Sequence, residues 1–317
     1  HLLDYQLNLF EGKTKKQLKD NSIALYPNLK PSYFESKLSQ FIDYNLADKN
    51  KKTIPTNFNN LYAQHKIFPL SAVIITYNEE EHLEKCLASL VDVCDEIIVV
   101  DSFSTDKTEE ICRHYNATFI QHKFGGYIEQ KNFAIQQATH NYILSLDGDE
   151  ALSDELKESI LNVKPHWDHD GFYSSRLNNY CGQWIKHSDW YPDKKLRLFK
   201  KGSGVWKGIN PHDSYRLKKG KKMGELEGDL FHWIYRDYDE HKEKVENFSS
   251  IASKAYFKLG IKSTYFKIIF RPSWAFFKSY FLRLGILDGK NGYRISKQSF
   301  IVTFLKYQKL YKLWHQK

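Results

Sequence analysis

The sequence predicts an α/β fold: a mostly parallel sheet flanked by helices, followed by a helical, basic and aromatic C-terminal region and preceded by a short extension. Three observations carry this. Uninterrupted apolar runs of strand length recur at residues 72–76 and 96–101, as in strands buried on both faces. Between them Leu83, Cys86, Leu87 and Leu90 recur at helical spacing. Polar, charge-bearing residues follow each run, where the strands of such a sheet end.

Residues 1–66 are polar and rich in Asn and Lys, and Pro27, Pro31 and Pro55 break any long helix. They read as an N-terminal extension of short helices and loops with no assignable chemistry. The α/β domain is expected over residues 67–250. After the first two strands, Asp106 with Glu109 three residues on predicts the cap of a helix reaching about Tyr115. Residues 118–122 predict a third strand, 128–138 a third helix and 142–146 a fourth strand. Such alternation means β-α-β units. Residues 251–317 form the third segment.

Composition narrows the class. With 317 residues, 41% hydrophobic and 15% aromatic, the chain holds enough apolar mass for one large or two modest domains, and 16 Gly and 8 Pro are too few for a collagen-like or linker-like chain. Cys86, Cys94, Cys112 and Cys181 form no C-x-x-C pair or zinc-finger spacing, which suits a reducing, cytoplasmic compartment. No run of about 18 apolar residues predicts a membrane span.

The net charge of +9 is unevenly spread: +4 over residues 1–66, −11 over 67–165 and +16 over 166–317. Residues 251–317 hold fourteen Lys or Arg against one acid, Asp288, interleaved with sixteen aromatic residues. Rings at headgroup depth and cations on lipid phosphates suit an anionic membrane surface, so a peripheral position on the inner face of the cytoplasmic membrane is expected. The rival readings are nucleic-acid binding, which is not expected, and a solvated basic face over an aromatic core. Over residues 265–287, Phe266, Phe270, Trp274, Phe277 and Phe281 recur at near-helical spacing among Lys267, Arg271, Lys278 and Arg283, with Pro272 expected to kink or restart the helix.

Ligands of such sheets bind beyond the carboxyl ends of the strands, where the winding direction reverses. The residues there are Tyr77, Asn78 and Glu79 after the first strand, Asp101 and Ser102 after the second, and Asp147, Gly148, Asp149 and Glu150 after the fourth. Asp147-Gly148-Asp149 offers two carboxylates across a glycine. Hard oxygen ligands of this kind select Mg²⁺ or Mn²⁺ bridged to substrate phosphates. No G-x-G-x-x-G follows the first strand and no Walker-type loop occurs, which disfavours nicotinamide dehydrogenases and P-loop kinases.

Residues 73–78, 97–106 and 144–150 resemble the nucleotide-sugar domain of family-2 inverting glycosyltransferases, whose fold is the Rossmann-like GT-A type. Residues 125–134, with Gln130-Lys131-Asn132, resemble the loop and helix that precede the D-x-D. The run 190–199, Pro211-His212-Asp213 and Leu287-Asp288-Gly289 are similar to the branch related to lipopolysaccharide-core β-1,4-glucosyltransferases. The resemblance implies that Asp101 holds the nucleobase, that Asn78 and Glu79 line the nucleotide pocket with Tyr77 and Ser102 beside them, and that Asp147 faces ribose or metal across Gly148 from the metal ligand Asp149. Lys131, beside Asn132, would approach the donor sugar or diphosphate. The family usually has Ala-Arg-Asn there, and Lys keeps the charge but loses the bidentate fork.

The activity so implied is inverting transfer of a hexose from a nucleotide sugar, a UDP-sugar above all, to a lipid-linked or cell-surface glycan of lipopolysaccharide type. One displacement needs a cation against the leaving diphosphate and a base for the attacking hydroxyl. Asp213 is the candidate base, one methylene shorter than the family's Glu, and His212 is the alternative. His232 is a further metal ligand or a packed core histidine. Arg197 meets phosphate or acceptor, or faces solvent from a strand. Trp184, Trp190 and Trp206 stack on sugars or fill the core. Two other readings remain: a sugar nucleotidyltransferase, which Glu79-Glu80-Glu81 would disfavour by repelling a triphosphate, and a non-enzymatic module whose basic tail binds membrane or nucleic acid.

Overall fold

The computed structural model describes residues 68–209 and 212–315. The expectations for residues 1–66, and for Pro211 and the His212 side chain, lie outside the described residues.

The first strand, β1 (Leu70–Thr76), is buried at all seven positions, as an apolar run covered on both faces must be. Helix α1 (Leu83–Leu90) turns Leu83, Cys86, Leu87 and Leu90 inward. Strand β2 (Glu96–Asp101) pairs parallel with β1, and β3 (Thr118–Gln121) parallel with β2. Helix α2 (Thr108–His114) links them; Asp106 lies two residues before it and accepts from the Thr108 N–H through Oδ1. Helix α3 (Tyr127–Gln137) follows Gly126, whose φ of 141° is open to glycine. Strand β4 (Tyr142–Asp147) returns to the other edge of β1.

The winding direction therefore reverses at β1, and the carboxyl ends of β1, β2 and β4 open on one crevice. Alternate residues of β1 serve two cores. Ala72 and Ile74 pack with α1, while Val73 and Ile75 pack with Ala134 of α3, Ala138 just beyond its end, and Trp206 and Tyr215.

Beyond β4 antiparallel strands join the parallel ones of the expected α/β sheet, which is mixed. Its order is β3-β2-β1-β4-β8-β6-β11-β5, with β7 on β6. Strands β6 (Gly171–Tyr180) and β11 (Met223–Tyr235) run parallel, but β8 (Asp193–Lys200) is antiparallel to both β4 and β6, and β5 (Glu150–Leu152) is antiparallel to β11. The short hairpin from β6 into β7 (Gln183–Ile185) leaves no room for the crossover helix a parallel return needs. Strands β9 (Gly204–Ile209) and β10 (His212–Leu217) make a separate two-stranded sheet. Helix α4 (Asp154–Val163) is capped by Ser153, whose hydroxyl accepts from the Leu156 N–H.

Helix α5 (Tyr238–Lys258) runs through residue 250 without a break. Helix α6 (Tyr265–Phe277) contains Pro272, continues through a wide turn at Lys278–Leu282, and packs on α7 (Gly289–His315). No helix among the described residues is long and apolar enough to cross a membrane.

Candidate active site

The strand ends bound a cleft of about 1440 Å³. Asp147 closes β4 opposite Ile75 of β1, and the Gly148 N–H donates to the Ile75 carbonyl at 3.0 Å. A Cβ on Gly148 would stand 2.9 Å from Thr76 Oγ1 and 3.3 Å from Glu79 Cγ. A side chain at 148 would have to displace Thr76 Oγ1, so glycine suits this close approach between Asp147 and Asp149 at the cleft floor.

A buried ionic lattice fixes Asp147. Lys131 Nζ of α3 lies 2.9 Å from its Oδ1 and 3.1 Å from its Oδ2, and an Arg197 Nη2 of β8 donates to Oδ2 at 3.0 Å. Behind it, fully buried Glu150 accepts from Arg197 Nη2 at 2.6 Å and from Arg176 Nη1 of β6 at 3.2 Å. Burial opposes ionisation of Asp147, but the Lys131 ammonium and the Arg197 guanidinium hold its carboxyl well below the usual carboxylate range. Burial would also lower Arg197, yet Glu150 and Asp147 keep its guanidinium charged more firmly than usual. The Trp206 ring covers this pair of cations, with Lys131 Nζ 4.4 Å and Arg197 Cζ 5.2 Å from its centroid.

Asp149 has a different neighbour. His232 of β11 brings Nε2 to 3.5 Å from Asp149 Oδ2. The Asn178 amide donates to the Trp190 carbonyl through Nδ2 at 3.0 Å, so its Oδ1, 2.6 Å from His232 Nδ1, accepts a proton from that nitrogen. Nε2 is left as the atom that binds a proton or a cation beside Asp149. Burial would raise the Asp149 carboxyl, but His232 draws it below the usual range. Among the described residues Asp149 Oδ1 and Thr76 Oγ1 are buried without a hydrogen-bond partner, and Asp147 Oδ1 has Lys131 nearby but no well-directed bond. Orphaned carboxylate oxygens beside an oriented imidazole fit a divalent ion. No three of His, Cys, Asp and Glu among the described residues are grouped to hold a metal unaided, so a ligand would complete the shell.

Asp213 of β10 is nearly buried, with Oδ2 3.0 Å from Lys131 Nζ. One ammonium thus joins Asp147 and Asp213. Burial and the field of Asp147, Asp149 and Asp213 also push the Tyr127 hydroxyl up.

Tyr77, Glu79, Ser102, Lys131, Asp147, Gly148, Asp149, Arg197, Asp213 and His232 all line the cleft. Three expected residues do not. Asp101 is fully buried, and its two oxygens accept from the Ser104 N–H at 2.8 Å and from the Ser104 hydroxyl. Asp101 thus closes the turn after β2, directly before Ser102 of the cleft lining. Asn78, at a φ of 50°, accepts from the Thr105 N–H through Oδ1 at 2.8 Å and donates its own N–H to Ser104 Oγ at 2.7 Å, stapling the β1 and β2 loops. Asn132 clamps the Trp206 backbone, donating to its carbonyl at 3.2 Å and accepting from its N–H at 3.1 Å. Trp184 and Trp190, both half-buried, pack among Phe231, Trp233, Tyr180 and Tyr235.

Glu150, named with the strand-end residues, lies behind Asp147, and Gln130, within the resembling run 125–134, donates through Nε2 to Ser102 Oγ at 3.2 Å. Arg176 of β6 gave no signal in the sequence beyond residue type.

The glycosyl transferase family 2 model matches residues 71–221. An uncharacterized glycosyltransferase of Rickettsia typhi is 30% identical over 262 residues, 77% of this chain and 86% of its own. Lipopolysaccharide core biosynthesis glycosyltransferase LpsC of Rhizobium meliloti is 30% identical over 251 residues, 77% of this chain and 92% of its own. The structure of S. aureus TarS 1-349 in complex with UDP gives a TM-score of 0.39 at 16% identity, over 78% of this chain and 91% of that one, too slight a likeness to carry an argument. The sequence relatives agree with the family match, and the chain belongs to glycosyl transferase family 2 and is a glycosyltransferase.

Proposed function

We propose that the chain transfers a hexose from a UDP-sugar to a lipid-linked or cell-surface glycan, with inversion, by a metal-assisted single displacement. The observation that carries this reading is that Asp147 and Asp213 share one ammonium, Lys131, in the cleft whose lining also brings Asp149 and His232 together. The nucleotide lies against Tyr77, Glu79 and Ser102, while Asp101 and Asn78 act through the turn they hold rigid. Asp149, Asp147 and His232 would hold the ion, Mg²⁺ or Mn²⁺, which supplies positive charge against the charge growing on the departing diphosphate.

Lys131 has two carboxylate partners and stands where a diphosphate would compete for it. Drawn toward the donor, it releases Asp213, which then takes the proton from the acceptor hydroxyl as that oxygen attacks the anomeric carbon and the bond to the diphosphate breaks. LpsC, named for lipopolysaccharide core biosynthesis, supports a surface-glycan acceptor.

The acceptor's anchor accords with the exposed face of α6. Phe266 and Ile269 are 69% and 68% exposed, with Tyr265, Phe270, Trp274 and Phe277 beside them and Lys267 and Arg271 on the same helix. An anionic lipid surface matches both the rings and the charge. Turnover of UDP-hexoses with Mn²⁺ on core oligosaccharides, followed by ¹H NMR of the new anomeric proton, tests the chemistry. A product of configuration opposite to the donor is expected; retention would overturn the single displacement.

A further inference from the structure

At the carboxyl end of β2 one hydroxyl of the cleft lining, that of Ser102, is held from behind by two side chains to which the transfer chemistry gives no part. These are Gln130 of α3 and His122, just beyond β3. Gln130 is fully buried. Its Nε2 lies 3.3 Å from the His122 carbonyl and 3.2 Å from Ser102 Oγ, and its Oε1 lies 2.8 Å from His122 Nδ1.

The carbonyl settles where each proton of this chain sits. A carbonyl oxygen only accepts, so the Gln130 atom facing it is the amide nitrogen, and Oε1 takes its proton from His122 Nδ1. The second amide hydrogen goes to Ser102 Oγ. Ser102 therefore accepts from behind, and among the described residues no group accepts its own hydroxyl proton, which is left for the cleft. The His122 ring is fixed in turn, stacked on Phe133 of α3 with centroids 3.7 Å apart, while its backbone N–H donates to the Asp101 carbonyl at 2.8 Å. Nδ1 carries a hydrogen in both the imidazolium and this neutral tautomer, so the chain keeps its direction at any ordinary pH.

Sheet order says what this donor meets. The strands run β3-β2-β1-β4, and Asp147 and Asp149 stand at the end of β4. Resting on the reading that the diphosphate lies with an ion at those carboxylates, a nucleotide crossing the end of β1 reaches β2 with its base, because the ribose stands between diphosphate and base. Asp101, the neighbour of Ser102, spends its oxygens on Ser104.

We propose that Gln130 and His122 are positioning residues that lock Ser102 as a one-way hydrogen-bond donor to the nucleobase, and that this polarity selects the 4-keto edge of uracil over the 4-amino edge of cytosine. A keto oxygen accepts the proton that Ser102 offers. An amino group in its place sets donor against donor.

The test is calorimetric titration of the full chain with UDP and with CDP in the presence of Mn²⁺, since the two share ribose and diphosphate and differ at the base. Wild type should bind UDP about tenfold or more tighter than CDP. Gln130→Met, which keeps the length of the side chain without its amide, should lose most of that preference, as should Ser102→Ala, and the double variant should lose no more than either. His122→Phe keeps the stack on Phe133 but frees the Gln130 amide to turn, so it should lose preference as well and serves where Gln130→Met unfolds. Equal wild-type affinity for the two nucleotides, an unchanged ratio in the folded Gln130 or His122 variant, or losses that add in the double variant would overturn the proposal. An unchanged ratio in Ser102→Ala would overturn it too, whether both affinities fall, as a ribose contact would give, or neither does. No heat with either nucleotide in wild type would strike the nucleotide-sugar reading and this inference with it.

Discussion

Asp147 and Asp213 share Lys131, and that sharing decides what each can do. Asp213 Oδ2 lies 3.0 Å from the Lys131 ammonium, so an anion that claims Lys131 would free that oxygen to meet an acceptor hydroxyl. Replacing Asp213 by Asn should lower kcat by about 100-fold or more while donor Kd changes little, because the amide keeps the shape but cannot take a proton. Rapid-quench turnover with saturating donor measures this; an unchanged kcat would remove Asp213 from the chemistry. The sequence marks Asp213, Asp147 and Asp149 by motif and position, but no motif says that Asp101 spends its oxygens on Ser104, since a strand-end acid reads alike whether it caps a turn or meets a ligand.

At the scale of elements, the D-x-D turn is set by backbone approach. The Gly148→Ala methyl would press on Thr76 and Glu79 of the neighbouring strand end, costing roughly 1–3 kcal/mol as overpacking does. Urea unfolding should show that loss together with weaker donor binding, whereas full stability and affinity would mean the turn relaxes freely. The parallel half was legible because β1, β2 and β4 are covered on both faces and so read as continuous apolar runs. The antiparallel half was not. Strands β6, β8 and β11 mix buried and open positions, and the β9–β10 hairpin that carries Asp213 and Trp206 is joined to α3 by Asn132, a contact between residues 74 apart. Arg176 escaped for the same reason, because its meaning is a pairing with Glu150 across strands.

The described residues combine an acidic cleft floor, a basic half-cleft and an exposed aromatic helix. Flotation with phosphatidylglycerol vesicles should carry the chain upward, phosphatidylcholine vesicles much less, and high salt should weaken the association as it screens lipid charge. The triple variant Phe266→Ala/Phe270→Ala/Trp274→Ala should lose about tenfold or more of the binding, since each side chain is exposed and contributes little to the core. Equal flotation with neutral lipid would set the charge reading aside. The central claim is that this fold binds a nucleotide sugar through a cation held at Asp147 and Asp149. Calorimetric titration of UDP-hexose into the full chain, with and without Mn²⁺, tests it most directly: saturable heat that requires the ion and disappears in Asp149→Asn is predicted, and binding of equal strength without Mn²⁺, or in that variant, would contradict it.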